Sequence, residues 1–596
     1  MPELKEPLVT PSGTASAFDQ LGTYARLRCV HIVIQGGWSF LDSFNFSVAE
    51  ASYLIHKPLQ AMLLPLVTIT LIWPSVPAVF LLHLQAIVTT LQAAPFVWEM
   101  DYWTLLMDLG VVVAIFAGLV EGRRERNALA ADIASTVCPV FVILMFSAGF
   151  WKLNTTFLDY RTSCATPFLI QLVAAYIPES LTPSWLPWLL VRAGPLIGTN
   201  VECLYPALLV FPGWPRYLGL VIGSLFHLGI AWCPLPNNAG MFSLHCLAGA
   251  YALFLPASTA AAWGKLAAPC NFIPRCLRKC IWALLMVSVV AGVFWAGIGE
   301  TLIPYACTAI SLGCYAAIYI DFKGRSGPWL SRPTIFAKAP NAGLTARSCR
   351  WFMLILTFLF SYVFLILGLM DMSNNEVFGS LHQHGGSNHL LLPTQVLQRY
   401  FADPANAAEW PWLSENFQGG VVRIDATDSD TINQIYPGGC TSLLPSRAAK
   451  LLADHGHVAT EFQFEVARVL GPQVLPANTP GPDFVRYTIP ALELRRIISE
   501  ATAAKTEFSL NYTRPAKGQF IPEKWWYNTG DAPVDFVQVV YKVDGQGQAS
   551  CTAGGVACAP EELVLQSPPR GWGAKFLVHT PHAIIGDGSF DPACTG

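Results

Sequence analysis

Four ionisable residues in apolar surroundings are the parts of this sequence best suited to chemistry. Lys152 closes an apolar run that begins near Ile133, and Glu202, His227 and His245 lie inside later apolar runs. An ionisable side chain in an apolar medium usually faces a partner or a cavity, because its desolvation is expensive. A lysine amine becomes a base only where its surroundings favour the neutral form. The pattern predicts either a basic site at Lys152 or an interfacial anchor with unrelated polar contacts elsewhere.

The segments that carry these residues are predicted to be membrane-spanning helices. The chain has 596 residues, of which 53% are hydrophobic and only 13% charged, whereas about a quarter of the residues in a soluble domain are charged. Its 19 Trp and 35 Phe fit the aromatic belts at membrane interfaces. A net charge of −3 indicates neither a nucleic acid nor an acidic partner. Apolar runs that suit spans lie at roughly 27–44, 59–74, 76–96, 104–120, 133–150, 196–211, 216–233, 240–257, 281–297, 302–320 and 351–371.

These runs predict a polytopic α-helical membrane protein of about nine to eleven spans, followed by a β-rich α+β domain. We divide the chain into a cytosolic segment 1–26, a transmembrane core 27–373 and a C-terminal domain 374–596. The run at 165–177 is predicted to lie at the interface or to re-enter the membrane. Residues 1–20 lack the pattern of a cleavable signal, so we expect the first span to direct insertion.

Basic residues concentrate in alternate loops of this arrangement. Loops 121–132, 258–280 and 321–350 hold three, four and six Lys or Arg, and the loops on the other side hold none. Because cytosolic loops carry an excess of Lys and Arg, the basic loops are predicted to be cytosolic. The C-terminal domain then lies in the lumen or outside the cell. The protein itself is predicted to be integral to the membrane of the endoplasmic reticulum or of another part of the secretory pathway.

Two features of the C-terminal domain agree with this orientation. Asn511 begins an Asn-Tyr-Thr glycosylation acceptor pattern. The domain also holds four cysteines, an even number that suits an oxidising compartment. Of the three possible connectivities we favour Cys551–Cys558 and Cys440–Cys594, on sequence proximity alone. The other twelve cysteines are interpreted as small apolar fillers.

The C-terminal domain begins with a histidine-containing, glycine-rich segment. His382, His384 and His389 have no accompanying cysteine or carboxylate cluster, so we predict no metal site and expect the segment to line the lumenal mouth or link the domains. Beyond it, period-two patterns predict strands at 460–466, 484–489, 506–512, 536–543 and 574–580, and apolar periodicity predicts helices at 446–456 and 490–505.

The ionisable residues of the core are predicted to share one depth. Glu202 lies in a span that starts on the lumenal side, His227 late in a span that ends there, and His245 early in the next. Lys152 emerges on the same side, and Arg192 is a possible partner for Glu202. One polar cavity on the lumenal side would account for all of them.

Two sequence blocks resemble a known family. The stretch GRRERNALAADI, followed by an apolar span and AGFWKLNTTFL, is similar to the membrane core of vitamin K-dependent gamma-glutamyl carboxylases, which belong with the wider HTTM (horizontally transferred transmembrane) family. FHLGIAWCPLPNNAGMFSL (226–244) resembles the family's Phe-His pair and the Gly-Met-Phe-Ser run that follows it. The resemblance covers about residues 20–260, and it leaves the C-terminal domain unmatched.

The resemblance implies a reaction and assigns roles within it. In the carboxylases the lysine of the Lys-Leu motif is implicated as the base that deprotonates reduced vitamin K, and oxygen then converts the quinone to a stronger base. That base removes a γ-proton from a substrate Glu, and carbon dioxide adds. Carried over, the catalytic base is Lys152, with Glu202, His227, His245 and Asn154 as supporting candidates. The implied co-substrates are vitamin K hydroquinone or a related quinol, O2 and CO2; the implied partners are the lipid bilayer and a secreted protein that bears Glu.

One position departs from the family pattern. The animal carboxylases have a functionally important histidine before the lysine block, whereas residues 95–109 contain none, and Asp101 falls near that place. A carboxylate donates a hydrogen bond only when protonated, so carboxylation of protein Glu is the step that this change affects most. The alternative is a non-carboxylating HTTM protein that binds or transports a lipid or small solute through the lumenal-side cavity. A third interpretation is a receptor-like scaffold.

Overall fold

The N-terminal two thirds of the described chain is helical, and the C-terminal part contains an antiparallel sheet. The computed structural model describes residues 20–44, 57–93, 99–234, 240–255, 274, 299–324, 342–368, 388–392, 394–403, 405–406, 408–417, 419–429, 442–443, 445–457, 462–463, 486–503, 505, 507–516, 534–558 and 582–583.

The helical part is a bundle in which helices that are neighbours in sequence pack together, and α5 lies between α4 and α8. Its helices are α1 (Gln20–Phe44), α2 (Lys57–Ile72), α3 (Val76–Ala93), α4 (Glu99–Val120), α5 (Arg126–Trp151), α6 (Thr155–Leu158), α7 (Ala165–Tyr176), α8 (Trp185–Leu209), α9 (Trp214–Ala231), α10 (Gly240–Gly249), α11 (Tyr251–Phe254), α12 (Gly299–Gly324), α13 (Leu344–Phe358) and α14 (Phe364–Ile366). A π-helical turn, Leu359–Val363, joins α13 to α14.

Among the described residues, four helical stretches are long and apolar enough to cross a membrane: Met100–Val120, Arg126–Trp151, Leu302–Phe322 and Leu344–Ile366. The last two bury only 28% and 33% of their apolar windows inside the protein. Their outward faces therefore expose large apolar side chains, such as Leu312 on α12 and Phe352 on α13. Such a surface suits a lipid environment better than water.

Several helices begin before the apolar runs from which they were predicted. The first helix begins at Gln20 and not at 27, α5 at Arg126 and not at 133, and α8 at Trp185 and not at 196. In α8 the helix runs through Pro195, which lies in its interior, although a proline lacks an N–H and usually ends a helix. Helices inside a packed bundle tolerate such residues because neighbouring groups satisfy the freed carbonyl. The predicted span at 281–297 lies outside the described residues.

The C-terminal part is built on a sheet whose strands are all antiparallel to their neighbours, in the order β8-β7-β6-β5-β1-β4-β9 within the described residues. Alternate residues of the central strands, among them Leu510, Tyr512 and Tyr541, form its core with Leu494 and Ile498 of one helix. The strands are β1 (Val421–Thr427), β2 (Ser442–Leu443), β3 (Phe462–Gln463), β4 (Tyr487–Pro490), β5 (Phe508–Pro515), β6 (Phe536–Val543), β7 (Ala549–Ala553), β8 (Val556–Ala557) and β9 (His582–Ala583); the helices are α15 (Thr394–Ala402), α16 (Pro411–Phe417), α17 (Ser446–Asp454) and α18 (Ala491–Ala503).

Most predicted elements of this part are confirmed. The strand at 536–543 coincides with β6, and the predicted helices correspond to α17 and α18. The strand predicted at 460–466 is limited to β3 in the described residues, and the one at 574–580 lies outside them. The prediction missed β1, the central strand that pairs with both β4 and β5.

The cysteine predictions are confirmed in part. Cys551 and Cys558 form a disulfide that closes the β7–β8 hairpin, and the proposed Cys440–Cys594 pair lies outside the described residues. Cys164 is disulfide-bonded too, so its interpretation as an apolar filler was wrong. The other cysteines of the described helices are free and buried or half-buried, as that interpretation requires. Asn511 lies in β5, half-buried between β1 and β6, and its glycosylation stays a prediction.

Candidate functional site

The structure pairs Lys152 with Glu202. The Lys152 Nζ lies 2.5 Å from a carboxylate oxygen of Glu202, and each side chain is only 5% exposed. Lys152 follows the last residue of α5, whereas Glu202 lies well inside α8. The helices meet closely because Gly149 has no side chain: a Cβ there would lie 2.8 Å from the backbone N of Cys203. Gly149, in the Ala-Gly-Phe-Trp-Lys stretch, therefore allows the Glu202 carboxylate to approach the Lys152 amine.

Two aromatic rings lie next to Lys152 in the structure. The Phe157 ring lies 5.6 Å from the Lys152 Nζ, a distance at which a cation interacts with a ring face. Trp151 is fully buried, and its Nε1–H donates a 2.7 Å hydrogen bond to the carbonyl oxygen of Ser361. Ser361 belongs to the π-helical turn between α13 and α14. A π-turn displaces carbonyls from their usual helical partners, and one of them here fixes the tryptophan beside the lysine.

Asn154 stabilises the turn that follows. Its side-chain oxygen accepts hydrogen bonds from the backbone N–H groups of Thr156 and Phe157, at 3.0 and 2.8 Å. Its amide donates to the carbonyl oxygen of Trp151 at 2.7 Å. Asn154 thus caps α6 and holds the peptide next to Lys152, as an N-cap asparagine does. We interpret it as a positioning residue, not as one that contacts a substrate.

A segment of the C-terminal part covers this turn. Leu390 N–H donates to the Leu153 carbonyl at 2.8 Å, and Thr155 N–H donates to the Asn388 carbonyl at 3.0 Å. His389 Nε2–H donates to the carbonyl oxygen of Phe150 at 2.9 Å. Its Nδ1 accepts from two backbone N–H groups of the same segment, both at 3.2 Å. Both ring nitrogens are therefore hydrogen-bonded, Nε2 to the helical part and Nδ1 within the segment, so neither is available to a metal in this arrangement. His382 and His384 lie outside the described residues.

The two predicted histidines, His227 and His245, make further buried polar contacts in the helical part. Tyr205 lies one helical turn after Glu202, and its hydroxyl lies 3.1 Å from the Nε2 of His227 on α9. His245 on α10 donates through Nδ1 to the Thr104 hydroxyl at 2.8 Å, because that hydroxyl uses its own hydrogen on the Met100 carbonyl. All of these polar side chains are buried. The prediction that the three residues share one region is compatible with these contacts, although His245 binds a different neighbour.

A second buried network, which the sequence analysis missed, adjoins His245. The His245 ring lies 5.2 Å from the ring of His31 on α1, and His31 contacts Arg28. Arg28 donates two hydrogen bonds to Asp108 of α4, at 3.1 and 2.7 Å. His83 of α3 completes the cluster, with its Nδ1 2.6 Å from Asp108. The sequence feature that could have predicted this network is the presence of these four ionisable residues inside candidate spans, because such residues are rare in membrane helices.

Two other sequence-based candidates lie elsewhere. Arg192 stacks over the ring of Tyr160 at 3.7 Å, and the partner of Glu202 is Lys152. Asp101 is half-buried in the first turn of α4. The fully buried carboxylate of that helix is Asp108, two turns further along. Asp101 therefore lies nearer the end of α4 than Asp108 does, and its role in the site stays a prediction.

The C-terminal part also docks through α17, close to the candidate site. Arg447 donates to the carbonyl oxygens of Ala174 and Ile177, at 2.9 and 2.5 Å. His457, just after α17, donates through Nε2 to the Ser163 carbonyl at 3.0 Å and is almost fully buried. Burial lowers the pKa of His457 to about 4, against smaller opposing effects of the Ser163 carbonyl and Asp159.

This pKa predicts that acid weakens the docking of α17. The unfolded or undocked histidine titrates near its ordinary pKa of about 6.5, so it binds more protons than the docked one between about pH 6.5 and 4. The contribution of neutral His457 to the stability of the docked state is then fully present above about pH 6.5. It falls by up to about 3 kcal/mol as the pH drops towards 4. Hydrogen exchange of α17 at pH 7 and pH 5 measures this. His457→Gln should flatten the dependence; an unchanged dependence in that variant would assign it to another group.

Comparison with known proteins adds one finding. Residues 387–575 match a sequence family described as a domain of unknown function, DUF8388. The match covers about a third of the chain, and its first residues include the segment that docks on the turn after Lys152. No curated protein and no solved structure matches the chain. The C-terminal part is therefore similar to DUF8388 domains, and that family is described without a function.

Proposed function

We propose that this chain is an integral membrane enzyme of the quinol-linked type, resembling the vitamin K-dependent gamma-glutamyl carboxylases, with Lys152 as the base. The observation that carries the proposal is the buried pair of Lys152 and Glu202, with 2.5 Å between amine and carboxylate. An ionisable pair held at the end of an apolar helix is a functional-site hypothesis by default. The similarity of the Lys-Leu block to the carboxylases assigns the pair a reaction.

The pair can release a neutral amine without leaving a lone charge in an apolar site. Burying two charges costs several kcal/mol per ion in effective terms. Transfer of one proton from the Lys152 ammonium to the Glu202 carboxylate removes both charges at once. Lys152 then has a free electron pair with which to accept a hydroxyl proton, and Glu202 holds the transferred proton. We assign Glu202 this proton-holding role, and the anion of the deprotonated hydroxyl group then balances the charge of the new Lys152 ammonium.

The surroundings of the amine suit an aromatic, lipid-soluble substrate. Phe157 lies near the Lys152 amine, and Phe150 packs against Trp151 just before the lysine. Such rings stack well on the ring system of a quinol. The reduced quinone would supply the acidic hydroxyl and, with O2, the stronger base that the family uses to prepare a Glu side chain for CO2. The residues of this chain bind and orient the ring, exclude water and hold the proton.

The apolar outer surface of the helices and the distribution of basic loops support a membrane location for the protein. Apolar faces of α12 and α13 are exposed, and the basic loops favour placing the C-terminal part in the lumen of the secretory pathway or outside the cell. The Cys551–Cys558 disulfide suits that compartment. We propose that the C-terminal part, which docks beside Lys152, presents a Glu-bearing secreted protein to the site.

Product formation in membranes tests the proposal. Membranes containing the parent chain, Lys152→Ala or the control Arg161→Ala receive vitamin K hydroquinone, a Glu-containing peptide and labelled bicarbonate. Arg161 is an exposed cation of the same region, with a side chain 61% accessible. We expect epoxide and label incorporation from the parent and the control, and neither from Lys152→Ala. Epoxide formation without label incorporation would mean that the protein catalyses a quinol-linked reaction other than carboxylation. Equal products from Lys152→Ala would contradict the assigned base.

A further inference from the structure

Two short helices, α15 and α16, lie at the end of the last candidate span. That span, Leu344–Ile366, is followed by Gly368, which has a positive φ of 63°. A Cβ at Gly368 would lie 2.5 Å from the ring of Phe417, the last residue of α16, so the chain that leaves the span contacts this ring directly. Phe417 stacks on Phe401 of α15, with 5.9 Å between the ring centroids. These contacts hold both helices at the level at which the span ends.

The segment just before α15 is held at the same level. Leu390 N–H donates to the Leu153 carbonyl at 2.8 Å, and Leu153 follows closely after Trp151, where another candidate span ends. The side chain of Leu392 packs against the buried pair of Trp151 and Leu365, and Leu365 lies near the end of the last span. Because α15 begins two residues after Leu392, it starts beside the ends of two candidate spans.

The outer face of this helix pair is apolar. Val396 and Tyr400 lie one helical turn apart on α15, and both side chains are exposed. Leu391, just before α15, is 65% exposed, and Trp410, just before α16, is exposed too. The rings of Tyr400 and Trp410 both lie beside the Phe401 ring, at centroid distances of 5.4 and 6.5 Å. The exposed side chains of the two helices therefore form one patch.

The distribution of polar residues on this pair does not suit contact with water. Gln398 of α15 is buried, although the apolar side chains before and after it are exposed. Helices that turn an apolar face with tyrosine or tryptophan outward are typical of bilayer interfaces. The exposed charged side chains that the structure describes between 394 and 417 are Arg399, Asp403 and Glu409, one positive and two negative. Attraction to an anionic surface therefore cannot explain the patch, whereas burial of its apolar area can.

We propose that α15 and α16 form an interfacial platform, with Leu391, Val396, Tyr400 and Trp410 embedded in the bilayer leaflet in which the last span ends. That span exposes apolar side chains of its own, such as Phe358, so the same leaflet covers the span and the platform. The platform holds the sheet of the C-terminal part at the membrane surface. The inference depends on the candidate spans crossing a membrane, and it is independent of the reaction proposed at Lys152.

Spin labels on the full-length protein in phosphatidylcholine nanodiscs test the platform. Power saturation compares the access of O2, which partitions into lipid, with the access of a water-soluble nickel complex. Labels at Val396→Cys and Leu391→Cys should be reached better by O2 and lie about 5–10 Å into the boundary between headgroups and acyl chains. Leu312→Cys, on the exposed face of α12, is the control for lipid, and Lys542→Cys, exposed on β6, is the control for water. The parent chain, labelled in the same way, gives the background from native thiols.

The controls separate failure of the platform from failure of the membrane location. If Leu312→Cys reports lipid while Val396→Cys and Leu391→Cys are reached better by the nickel complex, the patch faces water and the inference is overturned. If Leu312→Cys also reports water, the spans do not cross the bilayer and the platform is rejected with them. Dipolar broadening between labels at Val396→Cys would assign the patch to a second copy of the chain, against the lipid. Replacing part of the phosphatidylcholine with phosphatidylglycerol should leave the depth of both labels unchanged.

Discussion

Lys152→Arg is expected to abolish product formation while the protein stays folded. Arginine keeps a positive charge within reach of the Glu202 carboxylate, so the buried ion pair and the contact between α5 and α8 are retained. An arginine cannot be deprotonated under working conditions, so it cannot act as a base. Loss of a general base lowers turnover by about 10²- to 10⁴-fold. The substitution therefore separates the chemical role of Lys152 from its structural role.

The measurement compares turnover with folding in the same preparations. Epoxide formation gives turnover, and protease resistance of the segment around His389, which docks beside Lys152, reports the fold of the site. Glu202→Gln serves as the companion variant, since it keeps the amine and removes the proton-holding carboxylate; its loss of turnover should be smaller. Full turnover in Lys152→Arg with an intact fold would show that the lysine only anchors α5.

Asp108→Asn is expected to be among the most destabilising single substitutions in the core. Asp108 neutralises Arg28 through two hydrogen bonds and accepts a third from His83, and all three side chains are buried. Removing the carboxylate charge leaves the guanidinium buried without a counter-ion. Breaking a buried pair in this way costs about 3–5 kcal/mol, a large share of the stability of most proteins.

Unfolding in mixed micelles, followed by circular dichroism, measures this loss. Glu125→Gln is the matched control, because Glu125 is exposed before α5 and caps nothing with its side chain; its change should stay within about 0.5 kcal/mol. A double substitution, Arg28→Met with Asp108→Leu, removes both charges and should recover most of the lost stability. A full-sized loss in the double variant would mean that packing, and not charge pairing, explains the single substitution.

The sequence by itself determined most of the helices and strands, but not their ends. The almost unbroken apolar run before Lys152 predicts α5, because its few polar residues are small and uncharged. The alternation in residues 536–543 predicts β6 because one face of the sheet packs on α18. The ends of helices were less predictable: the apolar run began at 196, and α8 begins at Trp185 and continues through Pro195. The central strand β1 was missed although its residues alternate, since it follows loop-like residues rich in glycine.

Only the tertiary structure decided which ionisable residues meet. Hydropathy placed Lys152 and Glu202 at a similar depth, but depth says nothing about which faces of two helices are opposed. The contact depends on Gly149, where a side chain would collide with the backbone of α8. In the same way the pairing of Arg28 with Asp108 joins residues 80 positions apart. The pattern of apolar and polar residues predicts helices and strands because each element buries one face, which gives the sequence a local period. The partner of each charged residue depends on how the helices pack, and no local sequence pattern contains that information.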